Sequence, residues 1–175
     1  MKFIKTKIKD CFVIELEKKE DERGFLARTF DKDEFKKLGI NLDIVQGYVS
    51  VTKKKGTMRG IHYRKTAPFV AQLTRCLEGA IFEVILDLRL SSPTYKKWEG
   101  FKLKANDYKM LFIPKGCAHG ILILEDNTLF LNMYTQPFNG VLESGIRFDD
   151  PAFNIKWPIP VKIVSDKDNS WEGFK

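Results

Sequence analysis

The chain has 175 residues, enough to bury a real core, and one domain over 1–175 is the expectation. Lys and Arg outnumber Asp and Glu by 30 to 23, a formal net charge of +7. Apart from Lys53, Lys54 and Lys55 the lysines are scattered, and no motif of a nucleic-acid module appears, so the charge points to an anionic small ligand.

Three widely spaced cysteines, Cys11, Cys76 and Cys117, argue against a disulfide framework and a zinc cluster. No apolar run approaches the roughly 20 residues of a membrane helix. "MKFIKTKIKDCFVIEL" alternates and carries charge, unlike a signal peptide, so a reducing cytoplasm is the expected compartment.

In chain order, "CFVIELEKK" reads as a strand and "DERGF" as a turn with Gly24 as its pivot. "DKDEFKKLG" is a short helix, capped by Asp31 or Asp33 and ended by Gly39. "DIVQGYVSVT" alternates as a strand and "KKKGT" turns. "VAQLTRCLEGAIFEVILDLRL" reads as two strands joined at Glu78-Gly79, a hairpin signal. "SSPTYKKWEG" is a loop or turn and "FKLKAND" a strand; "KMLFIPKG", "HGILILEDN" and "TLFLNMYT" follow between Gly, Pro or Asn. Short strands at this spacing predict an all-β sandwich or barrel. The tail, "DDPAFNIKWPIPVKIVSDKDNSWEGFK", is expected to wrap the barrel.

The chain has only two histidines, His62 in "TMRGIHYR" and His119 in "PKGCAHGIL". In a regular strand Arg59 and His62 point to opposite faces; a kink or bulge at Gly60 would turn both into one cavity. An imidazole in a barrel mouth suits a general base, and the alternative is a core histidine bonded to a backbone carbonyl. A metal site is not expected, because position 64, where a His-x-His pair needs its second histidine, is Arg64. Asp168, in "SDKDNSW", would orient a histidine if the tail folds back.

"DERGF", "MRGIHYR", "RCLEGAIFEVILDLRLSSPTYKKWEG", "LFIPKGCAHGILIL" and "IRFDDPAFNIKWP" together resemble the dTDP-4-dehydrorhamnose 3,5-epimerase family, in its order and spacing and over nearly the whole chain. The resemblance implies a double-stranded β-helix, a cupin-like jelly roll with short peripheral helices, usually a homodimer, with no metal and no cofactor. The substrate it implies is a nucleotide-linked 4-keto-6-deoxy sugar, whose ketone acidifies the hydrogens at C3 and C5. A histidine held by an aspartate makes the enolate and a tyrosine reprotonates the opposite face. By residue, His62 matches the base and Asp168 its partner. Arg59, Arg23, His119, Gln46, Glu143 and Lys167 match binding positions.

Four changes, at five positions, depart from the family pattern. Asn132 stands where the acidic tyrosine belongs, Gln72 where a lysine does, Arg28 where a carboxylate does, and Gly47-Tyr48 follow Gln46 in place of Asp-Asn. Tyr134 lies two residues beyond Asn132, on the same strand face, and is the replacement acid this pattern offers, with Tyr48 a further candidate. A neutral Gln72 still donates a hydrogen bond, Arg28 supplies compensating charge or reads a different sugar or phosphate, and Arg28, Tyr48, Gln72 and Asn132 are all expected to bind substrate.

The expected function is a C3 and/or C5 epimerase in deoxysugar and surface-polysaccharide (lipopolysaccharide or capsule) biosynthesis. The alternatives are a related sugar-nucleotide isomerase and a non-catalytic nucleotide-sugar-binding relative.

Overall fold

Residues 1–174 are described by a computed structural model in which the predicted alternation becomes antiparallel sheet. The strands are β1 (Lys2–Lys5), β2 (Phe12–Glu15), β3 (Lys18–Asp21), β4 (Gly24–Ala27), β5 (Gln46–Thr52), β6 (Met58–Arg64), β7 (Gln72–Glu78), β8 (Ala80–Asp87), β9 (Trp98–Lys104), β10 (Lys109–Ile113), β11 (Cys117–Ile123), β12 (Thr128–Tyr134) and β13 (Glu143–Gly145). One sheet has the order β1-β2-β10-β7-β12-β5, a second β13-β6-β11-β8-β9, and β3 pairs with β4 as a separate hairpin. The expected all-β jelly roll is present.

Alternate residues of each strand build the core between the two sheets. Cys76, Leu111, Ile113 and Phe130 come from the first sheet, and Ile81, Ile85, Leu103, Ile121 and Ile123 from the second. The opposite strand faces are apolar too, and each is covered by a terminal region. Helix α1 (Lys32–Lys37) starts at Asp31, whose carboxylate accepts from the Asp33 and Glu34 amides, and ends just before Gly39, as its caps predict. Its Phe35 is fully buried on the first sheet, against Phe3, Phe30 and Phe112. Truncating Phe35 to Ala is expected to cost about 3–5 kcal/mol, read as a shift in denaturant midpoint at constant slope. On the second sheet, Ile146, Phe153, Trp157 and Val164 of the C-terminal tail cover Met58, Ile61, Leu86 and Leu122. The tail therefore wraps the barrel, and its short helix α2 (Asp166–Asn169) reaches β6.

Three sequence expectations need correction. β7 and β8 do not pair as a hairpin: β7 lies between β10 and β12, whereas β8 lies between β11 and β9. Gly79, at φ +73°, passes the chain from one sheet to the other, and a Cβ there would meet Thr128 Oγ1 at 2.5 Å. A local turn signal does not encode which sheet the next strand joins. "CFVIELEKK" is divided between β2 and β3, and β9 begins at Trp98 rather than Phe101. Among the described residues no helix is long and apolar enough to cross a membrane.

Candidate active site

The site begins at a bulge. β6 and β11 pair with His62 opposite His119 and with Arg59 opposite Ile121, and the register shifts between them. His119 and Ile121 share a face of β11, so their partners Arg59 and His62 share a face of β6. Gly60 makes this possible at φ +98°. The bulge expected at Gly60 is present, but only His62 lines the cavity; Arg59 does not.

His62 is then fixed by the tail. Its Nε2 lies 2.6 Å from Asp168 Oδ1, while the Gly60 amide donates to Asp168 Oδ2 at 3.0 Å. The Trp171 indole N–H points to Oδ1 at 3.4 Å, and the Ser165 hydroxyl caps the helix by accepting from the Asp168 amide at 3.1 Å. Asp168 is only 5% exposed. Burial works against its charge, but the hydrogen bond and charge of His62, with the Gly60 amide and Ser165, prevail and hold the carboxyl down at about 2. An ionised partner at Nε2 keeps the proton on that nitrogen and leaves Nδ1 as the basic one.

The sign of the pH effect follows from this shift. Folded Asp168 titrates below its ordinary 3.8, so the unfolded chain binds more protons between the two values. The stabilisation is complete above about pH 5 and is lost as pH falls through the folded value; it is of order 2 kcal/mol. Asp168→Asn is therefore expected to flatten the acid limb of a Tm-against-pH curve below pH 5.

The opposite wall comes from the first sheet. Tyr134 is in register with Gln72 on one side and Gln46 on the other, and Asn132 with Thr74 and Tyr48. His62, His119, Gln46, Tyr48, Gln72, Tyr134 and Glu143 all line one cavity. The Tyr134 and Tyr48 rings meet edge to face at 5.6 Å. Burial pushes the Tyr134 phenol up to about 12, and the Asn132 amide, 3.1 Å from its oxygen, pulls the other way.

Behind the cavity His119 Nδ1 lies 3.0 Å from Glu83 Oε1 and 2.9 Å from the Gln72 side-chain amide. With both contacts made at Nδ1, Nε2 is the nitrogen left for a ligand. Glu83 is fully buried and also accepts from Thr74 at 3.2 Å.

Two loops close the mouth. Phe69 and Val70 come from the loop after β6, and Gln136 and Phe138 from the loop after β12. The buried Arg64 ties them together: its guanidinium donates to the carbonyls of Pro68, at 3.1 Å, and Pro137, and its Nε faces Glu143 at 3.4 Å. Arg64→Ala strands both carbonyls and the carboxylate. Its expected cost is about 3 kcal/mol of stability, with faster amide hydrogen exchange confined to these two loops.

The remaining sequence candidates sit apart from the cavity lining. Arg59 Nε donates to Thr52 at 3.0 Å, and the Lys167 ammonium lies 5.7 Å from the Trp171 ring. Arg23 pairs with Asp21 at 2.6 Å on the β3–β4 hairpin, and Arg28 pairs with Asp31. Neither arginine lines the cavity within one chain. Sequence reasoning missed Arg64 and Glu83. Glu83 left one signal, a lone carboxylate amid the apolar run "AIFEVIL".

A jelly roll whose cavity sets an aspartate-held imidazole on one sheet against a phenol on the other defines a candidate proton-transfer enzyme. The dTDP-4-dehydrorhamnose 3,5-epimerase family matches residues 5–175, and the chain belongs to that family. It is 37% identical over 175 residues to the dTDP-4-dehydrorhamnose 3,5-epimerase of Shigella flexneri, covering 99% of this chain and 96% of that one. The crystal structure of the Elizabethkingia anophelis enzyme superposes with a TM-score of 0.96 at 35% identity, covering 99% of this chain and 96% of that one. The epimerase from Legionella pneumophila, solved with dTDP-4-keto-L-rhamnose, superposes at 0.91 with 33% identity, covering 98% and 92%.

Proposed function

We propose that this protein epimerises a nucleotide diphosphate-linked 4-keto-6-deoxy sugar at C3, C5 or both. The observation that carries the reading is the pairing of His62 with Asp168 on one sheet, facing Tyr134 on the other. His62 Nδ1 removes the proton beside the ketone, and the C–H electron pair moves into the ring as an enolate. The ketone oxygen takes the charge, so the substrate supplies its own electron sink. Tyr134 gives a proton to the opposite face of the same carbon; imidazolium and phenolate then exchange protons with solvent. Gln72 supplies an N–H, and His119 when protonated an Nε2–H, to the enolate oxygen. Arg59 and Lys167 carry charge suited to a diphosphate, and the relative bound to dTDP-4-keto-L-rhamnose favours a dTDP sugar. The product serves deoxysugar and surface-polysaccharide biosynthesis in the cytoplasm.

The protein also acts as a homodimer in this reading. β5 is an edge strand whose outward side chains Val49 and Val51 are 65% and 60% exposed, beside Leu129 and Leu131 of β12. Val49→Glu is expected to halve the mass seen by light scattering; an unchanged mass places the interface elsewhere.

The deciding experiment is NMR in deuterated water with the dTDP-linked 4-keto-6-deoxy sugar. Exchange and inversion at C3, C5 or both, lost in His62→Ala, is the expected result. Binding without exchange would favour the non-catalytic alternative.

A further inference from the structure

Asn132 is 7% exposed and sits two residues before Tyr134 on the inward face of β12. Its Nδ2 donates to the Tyr134 hydroxyl oxygen at 3.1 Å, while its Oδ1 is buried with no partner. An orphaned buried carbonyl costs free energy that an apolar side chain of similar size would avoid. The amide is therefore explained by what its N–H does, and that N–H meets the phenol.

We propose that Asn132 is a positioning residue, which turns the Tyr134 hydroxyl proton into the cavity and steadies the phenolate left after that proton is given up. The proposal rests on Tyr134 as the acid. A phenol oxygen has one proton and limited room for partners. With the Asn132 amide donating to it, the O–H is directed away from β12, toward the space shared with His62. When the proton leaves, the same contact becomes a charge-assisted hydrogen bond and strengthens as negative charge develops. This differs from the sequence expectation that Asn132 binds substrate: its donor faces Tyr134. Burial otherwise disfavours the phenolate, so the amide acts on the step where burial hinders most.

The proposal separates two observables that a general loss of structure would move together. Exchange of the substrate proton needs His62 alone, whereas inversion needs Tyr134 as well. In Asn132→Leu, deuterium exchange with retention is expected to stay within a few-fold of wild type. Inversion is expected to fall about 10- to 100-fold, the scale of one charge-assisted hydrogen bond. Tyr134→Phe is expected to show the same split, and the double variant no further loss. Asn132→Ser, which keeps a hydroxyl donor in a smaller side chain, guards against misfolding of the leucine variant and is expected to fall between. Full inversion in Asn132→Leu, or losses that add to those of Tyr134→Phe, would overturn the proposal, as would exchange and inversion falling in parallel. If the wild-type protein shows neither exchange nor inversion, the epimerase reading itself fails. The contact is then read in the free protein: Asn132→Leu is expected to move the Tyr134 Cζ resonance, and an unmoved resonance rejects the contact as well.

Discussion

Asp168→Asn is expected to abolish proton exchange almost as completely as His62→Ala, by about three to four orders of magnitude, although Asn has the same shape as Asp. The reason lies in which oxygen is committed. The Gly60 amide donates to Oδ2, so that corner of the side chain must remain an acceptor. An asparagine there keeps its carbonyl toward Gly60 and presents its NH2 to His62 Nε2, in the place of Oδ1. Two donors cannot face each other, so Nε2 gives up its proton and the ring carries it on Nδ1, the nitrogen that must accept from the sugar. The imidazolium formed in catalysis loses its counter-charge as well. The Trp171 indole, pointing at Oδ1, meets a donor too. Loss of exchange with retained ligand binding is the expected outcome, and Asp168→Glu should recover a part of it. Near-normal exchange in Asp168→Asn would mean that His62 is not the base.

Much of this site was legible because its residues are scarce. Two histidines in apolar runs point to a lined cavity whatever the fold, and Gly60 beside His62 announces an irregular strand. Alternation located the strands, because a half-buried sheet imposes a period of two on the side chains. Strand partners were not legible. Glu78-Gly79 has the composition of a hairpin turn, yet it joins two sheets, since pairing depends on segments far away in sequence. The role of Arg64 in tying the loops was not legible either, because an arginine ending a strand reads as solvated; only the two loops that fold over it make it buried. The Asp168–His62 contact spans 106 residues, and the resemblance to a family, rather than any local pattern, brought the two together. The departures at 72 and 132 could be named in sequence but interpreted only in three dimensions: Gln72 sits against His119, and Asn132 against Tyr134.

Gly60→Ala is expected to disable the site although residue 60 offers the substrate no side chain. At φ +98° an L side chain is strained wherever it points, at about 1–2 kcal/mol. The added Cβ would also lie 2.9 Å from the His119 carbonyl oxygen, 3.1 Å from the His62 nitrogen and 3.2 Å from the Gly120 Cα. All three are backbone atoms, so no rotamer relieves the overlap; β6 must move away from β11. Together these terms come to about 3 kcal/mol of stability. Function should suffer more than stability alone explains. The bulge is what gives Arg59 and His62 a common face, and the Gly60 amide is one of the bonds that hold Asp168. A displacement of roughly 1 Å in a base is enough for about a 100-fold loss. The comparison is Gly47→Ala on β5, whose Cβ would make only an ordinary contact, 3.7 Å from the Asn132 carbonyl oxygen. Assayed well below both melting temperatures, Gly47→Ala should retain exchange and Gly60→Ala should lose it. If Gly60→Ala melts early yet exchanges at the wild-type rate, the bulge stabilises the barrel without aiming its base.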